Sequence, residues 1–277
     1  MNIPSSVAVI GLGMMGGSVA RAFAARGVRV AGYDSNPTHL DAAIAQGVVA
    51  RRLSPKLEDV GDADAIVIAV HGDAAIEILR TLDKYAEHVG LITDVGSVKQ
   101  AIVSAANELD LATRFVGSHP FAGDHRSGFG ASRMGLFEDQ IVYLCPTEKT
   151  SAEALDFAQS LWTVLGASPE LIDARAHDEM LAWSSHLPHV VSSALAIALA
   201  KKGIDRDQLG RGGQDVTRLA GGSTEMWMAI LIENAEAIDA ALSEMERELA
   251  EFREAIRQCD RNSLTQLFET GRDWSST

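Results

Sequence analysis

Three groups of residues in this chain of 277 have types and spacings that can do chemistry. The first is Gly11-Leu12-Gly13-Met14-Met15-Gly16, a G-x-G-x-x-G turn between the apolar run Val7-Ala8-Val9-Ile10 and a helix-forming stretch over residues 18–26. In such a turn the first glycine makes the tight bend. The second lets backbone approach a pyrophosphate, and the third lets the helix pack closely on the strand. The helix N-terminus adds N–H groups and a partial positive charge for phosphates. Asp34 ends a second apolar run, residues 28–33, at about the 20-residue spacing of a dinucleotide-binding βαβ unit. A carboxylate there accepts hydrogen bonds from both ribose hydroxyls and repels a 2′-phosphate, which favours NAD over NADP. Asp34 has a plainer reading as the cap of a helix opened by Pro37.

The second group is His119-Pro120, after the strand-like run 115–118, with Ser97 in Gly96-Ser97-Val98-Lys99 after the run 91–95. Ligands of an open α/β sheet bind beyond the carboxyl ends of its strands. An enzyme that oxidises an alcohol carbon must remove the hydroxyl proton along with the hydride, and neutral histidine suits that base role. His119 is the candidate base, and Ser97 is placed to bond both the hydroxyl and the imidazole. The third group is His186-Leu187-Pro188-His189 followed by Gly212-Gly213-Gln214-Asp215-Val216-Thr217-Arg218. Arg218 can grip a carboxylate with two parallel hydrogen bonds. Taken singly, a histidine in an apolar helix serves as readily in the core, and an arginine after a glycine-rich turn as readily forms a surface ion pair.

These residues need elements to hold them. Strand-like runs recur at 7–10, 28–33, 65–70, 91–95, 115–118 and 140–145, with helical stretches between most of them. That alternation predicts an α/β fold, an open Rossmann-type sheet, mostly parallel. The cofactor-facing set is then Gly11, Leu12, Gly13, Met14, Met15, Gly16, Asp34 and Val70. The character changes near Pro146, so residues 1–150 read as the dinucleotide-binding domain and 151–277 as an all-helical substrate and dimerisation domain. Residues 151–165 read as a helix and 170–173 as a short extended piece. Pro188 should kink a long helix over 174–201. One further helix carries Leu231, Ala235, Ile238, Leu242, Met245, Leu249, Phe252 and Ile256 in a heptad seam, which predicts a homodimer contact through the C-terminal helices.

Composition narrows the partners. A net charge of −14 argues against nucleic acid and against an anionic membrane surface. The longest apolar stretch, 190–200, is too short to span a bilayer. Cys145 and Cys259 form neither a disulfide framework nor a metal pattern, no metal-ligand spacing is seen, and no signal peptide is read ahead of the first strand. The expectation is a cytoplasmic protein with a small-molecule substrate.

Together, the segments 11–18, 94–99, 117–123, 185–189, 215–218 and 226–227 resemble the prephenate/arogenate dehydrogenase family of tyrosine biosynthesis, in family order and over nearly the whole chain. The resemblance implies oxidative decarboxylation of prephenate to 4-hydroxyphenylpyruvate with NAD, in the monofunctional form. It implies that His119 is the catalytic histidine at the ring hydroxyl and Ser97 the serine that orients the pair. Arg218 would bind a substrate carboxylate, His189 would line the same pocket and Trp227 would lie nearby, so that His119 and Arg218 serve opposite ends of one ring. Asp124-His125-Arg126 departs from the family pattern, which often has threonine first. Asp124 suits the ammonium of arogenate, whereas His125 and Arg126 suit the keto acid of prephenate. Prephenate is the expected substrate; arogenate, or dual cyclohexadienyl specificity, is the alternative. The β-hydroxyacid dehydrogenases, with their catalytic lysine motif, fit less well because K-x-x-N in a glycine-containing helix is not found. A non-catalytic NAD sensor is the remaining rival.

Overall fold

The computed structural model describes residues 3–123 and 126–276. Asp124 and His125, both expected at the substrate, lie outside the described residues. The strands are β1 (Ser6–Ile10), β2 (Arg29–Tyr33), β3 (Arg51–Arg52), β4 (Ala65–Ile68), β5 (Leu91–Asp94), β6 (Phe115–Pro120), β7 (Ile141–Pro146) and β8 (Ser168–Leu171). They form one sheet in the order β3-β2-β1-β4-β5-β6-β7-β8. β1 to β6 run parallel, while β7 pairs antiparallel with β6 and parallel with β8. The winding reverses at β1, between β2 and β4, and a crevice at such a switch point is where this architecture binds ligands.

Helices α1 (Met14–Ala24), α2 (Pro37–Ala45), α3 (Gly72–Leu82), α4 (Gln100–Asn107) and α5 (Ala152–Val164) lie between most successive strands. The central strands are apolar at successive positions because both faces are covered. Val7 and Val9 belong to a core with Phe23 and Trp162, and Ala8 and Ile10 to a second core with Leu79 and Ile102. Burying each such large side chain contributes about 1.5–3 kcal/mol.

The rest is helical: α6 (Ala174–Leu181), α7 (Leu187–Lys201), α8 (Arg211–Val216), α9 (Thr224–Glu233), α10 (Ala235–Gln258) and α11 (Arg261–Trp274). The chain forms two compact units, Met1–Met180 with Gly221–Glu233, and Leu181–Ala220 with Asn234–Thr277. The sequence reading closed the first domain at residue 150. Pairing of β8 with β7 carries the sheet unit on to Met180, and α9 belongs with it.

Two local expectations change. The single long helix expected over 174–201 is interrupted before Pro188, where a π-helical turn, Ala182–His186, stands between α6 and α7. Proline lacks an N–H and crowds the carbonyl four residues back, and a wider i→i+5 turn accommodates both. The heptad seam lies on two helices, because the helix is interrupted at Asn234, between α9 and α10. Its side-chain amide donates to His186 Nδ1 at 3.1 Å. No described helix is long and apolar enough to cross a membrane.

Candidate active site

The glycine turn joins β1 to α1 at the switch point. Gly11 has φ +93°, and a Cβ there would lie 2.4 Å from the Ala69 carbonyl oxygen. Gly16 lies so close to the preceding turn that a Cβ would sit 1.9 Å from the Gly11 carbonyl oxygen. Gly13 differs: nothing described comes within 4 Å of a Cβ placed there. It is also the N-cap of α1 and supplies no side-chain cap, so the first-turn N–H groups face a space able to take an anion. Met14 and Met15 are half-buried in that turn, and Leu12 is buried. Val70 lies beside Gly11 at the end of β4.

Asp34 is aimed back at this turn. Its Oδ2 accepts the Leu12 N–H at 2.6 Å and its Oδ1 the Asn36 N–H at 2.7 Å. His39 Nδ1 lies 3.4 Å from Oδ2. The cap of α2 is Asn36, whose side chain accepts the Thr38 N–H at 3.0 Å. The capping role considered for Asp34 therefore falls to its neighbour. The open space at Gly13, the uncapped α1 and the anchored carboxylate fit the pyrophosphate and ribose of a dinucleotide.

His119 stands near the end of β6. Thr93 of β5 pairs with Val116, so continuing the register sets His119 level with the turn that carries Gly96 and Ser97. Ser97 is half-buried in that turn. The His119 ring is 7% exposed and meets Phe121 and His177 edge-on, with centroids 6.0 and 5.0 Å away. Tyr143, opposite it on β7, completes the wall at 6.4 Å. Burial, with Glu170 beside it, pushes the Tyr143 hydroxyl above its ordinary range, so the phenol stays neutral.

Buried polar groups position this strand end. Asp94 Oδ1 accepts the Ser118 N–H at 3.0 Å, and its Oδ2 takes the Gly96 N–H at 2.8 Å and the Lys99 ammonium. Lys99 Nζ also donates to the Ser118 carbonyl at 3.0 Å. Ser118 Oγ accepts the Trp162 indole N–H at 3.0 Å and bonds Thr93 Oγ1 at 2.6 Å. On the other face, His119 Nδ1 is 2.9 Å from His177 Nε2, and His177 Nδ1 is 2.7 Å from Asp178 Oδ1. Sequence reasoning assigned no role to Asp94, Lys99, His177, Asp178 or Trp162. Asp94 and Lys99 flank Ser97, and ionisable residues at the end of an apolar strand were a usable signal. His177-Asp178 carried none, since it reads as ordinary helix.

Trp227 is half-buried on α9 of the sheet unit. The remaining substrate candidates belong to the second unit. His189 lies near the start of α7, and its Nδ1–H donates to the Ser185 carbonyl at 2.9 Å, which fixes its tautomer. Arg218 is exposed at the start of a 3₁₀ turn, Arg218–Gly221. Among the described residues no group of three His, Cys, Asp or Glu side chains is arranged to hold a metal ion.

Residues 19–171 match the family model for prephenate dehydrogenase, nucleotide-binding domain, and residues 173–270 that for prephenate dehydrogenase, dimerization domain. The chain belongs to the prephenate dehydrogenase family. It is 32% identical over 278 residues to the prephenate dehydrogenase of Bacillus subtilis (strain 168), covering 97% of this chain and 75% of that one. The crystal structure of prephenate dehydrogenase from A. aeolicus in complex with hydroxyphenyl propionate and NAD+ matches with a TM-score of 0.89 and 30% identity, covering 100% of this chain and 99% of that chain. Synechocystis arogenate dehydrogenase matches with a TM-score of 0.82 and 28% identity, over 98% and 99% of the two chains. The family and the fold class expected from the sequence are both borne out.

Proposed function

We propose that this protein oxidises prephenate with NAD and releases CO2 to give 4-hydroxyphenylpyruvate, a step of tyrosine synthesis. The observation that carries this reading is His119, a nearly buried histidine at the carboxyl end of β6, in a sheet whose switch point fits a dinucleotide. The turn 11–16 and Asp34 would hold NAD, with Val70 beside them. When bound, NAD supplies the hydride acceptor. His119 takes the proton of the ring hydroxyl, and Ser97 orients that hydroxyl towards the imidazole. The ring carboxylate then leaves as CO2, its bonding electrons complete the aromatic ring, and the ring oxygen takes the proton back from His119. Aromatisation drives that loss, so the protein's work is to place the reacting groups and remove one proton.

Arg218 is assigned a substrate carboxylate, and His189 and Trp227 further substrate contacts. Arg218→Ala is expected to raise KM about tenfold or more with a smaller change in kcat, since it removes a charge-assisted bond already present in the ground state. An unchanged KM would mean that the carboxylate is held by another residue.

Initial rates with prephenate or arogenate, each with NAD or NADP, test the whole assignment. The highest kcat/KM is expected for prephenate with NAD. Asp124 and the likeness to the Synechocystis enzyme favour arogenate as the second reading, and a preference for it of about tenfold would establish that one instead. A chain that binds NAD but forms no NADH with either substrate would be a sensor.

We infer a homodimer through the C-terminal helices. In the second unit Leu249 and Ile256 are 54% and 62% exposed along the seam of α10, and the matching family model is described as a dimerization domain. Sedimentation at the mass of one chain would refute this. We place the protein in the cytoplasm, in keeping with two free cysteines, Cys145 and Cys259.

A further inference from the structure

We propose that His177 and Asp178 are positioning residues that hold His119 in the tautomer the reaction needs, with the proton on Nδ1 and the lone pair on Nε2. The proposal rests on His119 being the base. A histidine can accept a proton only at the nitrogen that lacks one, and the partner of the other nitrogen decides which that is.

The order of donors follows from Asp178. Its Oδ1 accepts the Lys99 backbone N–H and its Oδ2 the Gln100 backbone N–H, both at 2.8 Å. Backbone amides only donate, so Asp178 is held as an acceptor at both oxygens. His177 Nδ1, 2.7 Å from Oδ1, therefore donates, and Nε2 of the neutral ring is left as the acceptor. His119 Nδ1, 2.9 Å from that nitrogen, then donates in turn, which puts the His119 lone pair on Nε2. The direction set at the α4 amides runs through two rings to the reacting nitrogen.

The same chain manages charge. When His119 Nε2 takes the hydroxyl proton, the Nδ1 proton can pass to His177 Nε2. His119 is then neutral, and the positive charge lies on His177 against the Asp178 carboxylate. His177 is fully buried and Asp178 is 2% exposed, so water does little to weaken that interaction. Of the other ionisable groups packed here, Lys99 and Asp94 pair with each other, and Tyr143 meets His177 edge-on at 5.5 Å.

Two variants of the full chain test this, with NAD and prephenate. In Asp178→Asn the side-chain amide can donate to His177 Nδ1, which reverses both rings and places a proton on His119 Nε2. The expected result is a loss in kcat of more than about tenfold with little change in KM. The acid limb of the kcat/KM profile should move to lower pH, because His119 loses the negative charge that stabilises its protonated form. Spectra of ligand-free protein labelled with ¹⁵N-histidine should show His119 protonated at Nδ1 in the parent and at Nε2 in the variant. His177→Gln keeps an acceptor for His119 Nδ1–H but cuts the link to Asp178. It should keep the Nδ1–H tautomer and still shift the acid limb, and it carries the test if Asp178→Asn misfolds through loss of the α4 contacts. A merely structural role would lower the active fraction without moving limb or tautomer, and that result overturns the proposal. His119→Asn separates the two readings: wild-type turnover there removes the base itself. An inactive His119→Asn beside an unshifted Asp178→Asn removes only the dyad.

Discussion

His119→Asn is expected to lower kcat by roughly a hundredfold or more while leaving NAD affinity near the parent value. The asparagine amide nitrogen can take the place of Nδ1 and donate to His177 Nε2, so the buried contact seen at 2.9 Å is kept. What disappears is Nε2, the atom assigned to the hydroxyl proton. The glycine turn joins β1 to α1 and Asp34 follows β2, with β4 and β5 lying between these strands and β6, which is why the cofactor should bind as before. Stopped-flow NADH formation and NAD titration by fluorescence check the two halves separately. Turnover near the parent rate would take the base role away from His119, and a parallel loss of NAD affinity would point to general damage instead.

Lys99→Met is expected to cost about 3–5 kcal/mol of stability, because it strips a buried carboxylate of its counter-ion. Lys99 is fully buried and Asp94 is 1% exposed. Without the ammonium, Asp94 keeps the Gly96 and Ser118 amides among the described residues. Removing both charges should hurt less: Asp94→Asn with Lys99→Met should recover more than half of the loss, since no lone charge then remains in the interior. Urea unfolding of the parent, the single variant and the double variant measures this cycle. A single-variant loss below about 1 kcal/mol, the range of exposed pairs, would show that water or another group reaches Asp94. The lysine also ties Ser118, the residue before His119, to β5. Activity should therefore fall in the folded fraction as well.

Much of the fold was legible because its signals are local. The apolar runs ending in Gly11, Asp34 and Ser97 each mark a strand and its carboxyl end within a few residues, and parallel strands with both faces covered have to be apolar throughout. His119 was legible for the same reason, as an ionisable residue at a strand end. The reversal at β7 was not, since a short strand of apolar residues reads alike in either direction. β3 was also missed, being only two exposed arginines, Arg51 and Arg52. The choice between Asp34 and Asn36 as the cap of α2 needed the backbone, because either side chain can reach an amide two residues on.

The order of residues alone determined the dinucleotide turn and the succession of strands and helices, because a bend, a helix start or a buried strand depends on neighbours a few positions away. It also determined which histidine ends β6. The folded chain decided the rest of the site: which nitrogen of His119 is held, and by what. His177 is 58 positions from His119, and Asp178 is 79 from the Lys99 amide it accepts. A hydrogen bond acts only over about 3 Å, so partners this distant in sequence are chosen by the packing of α6 against the sheet, and no local pattern announces them.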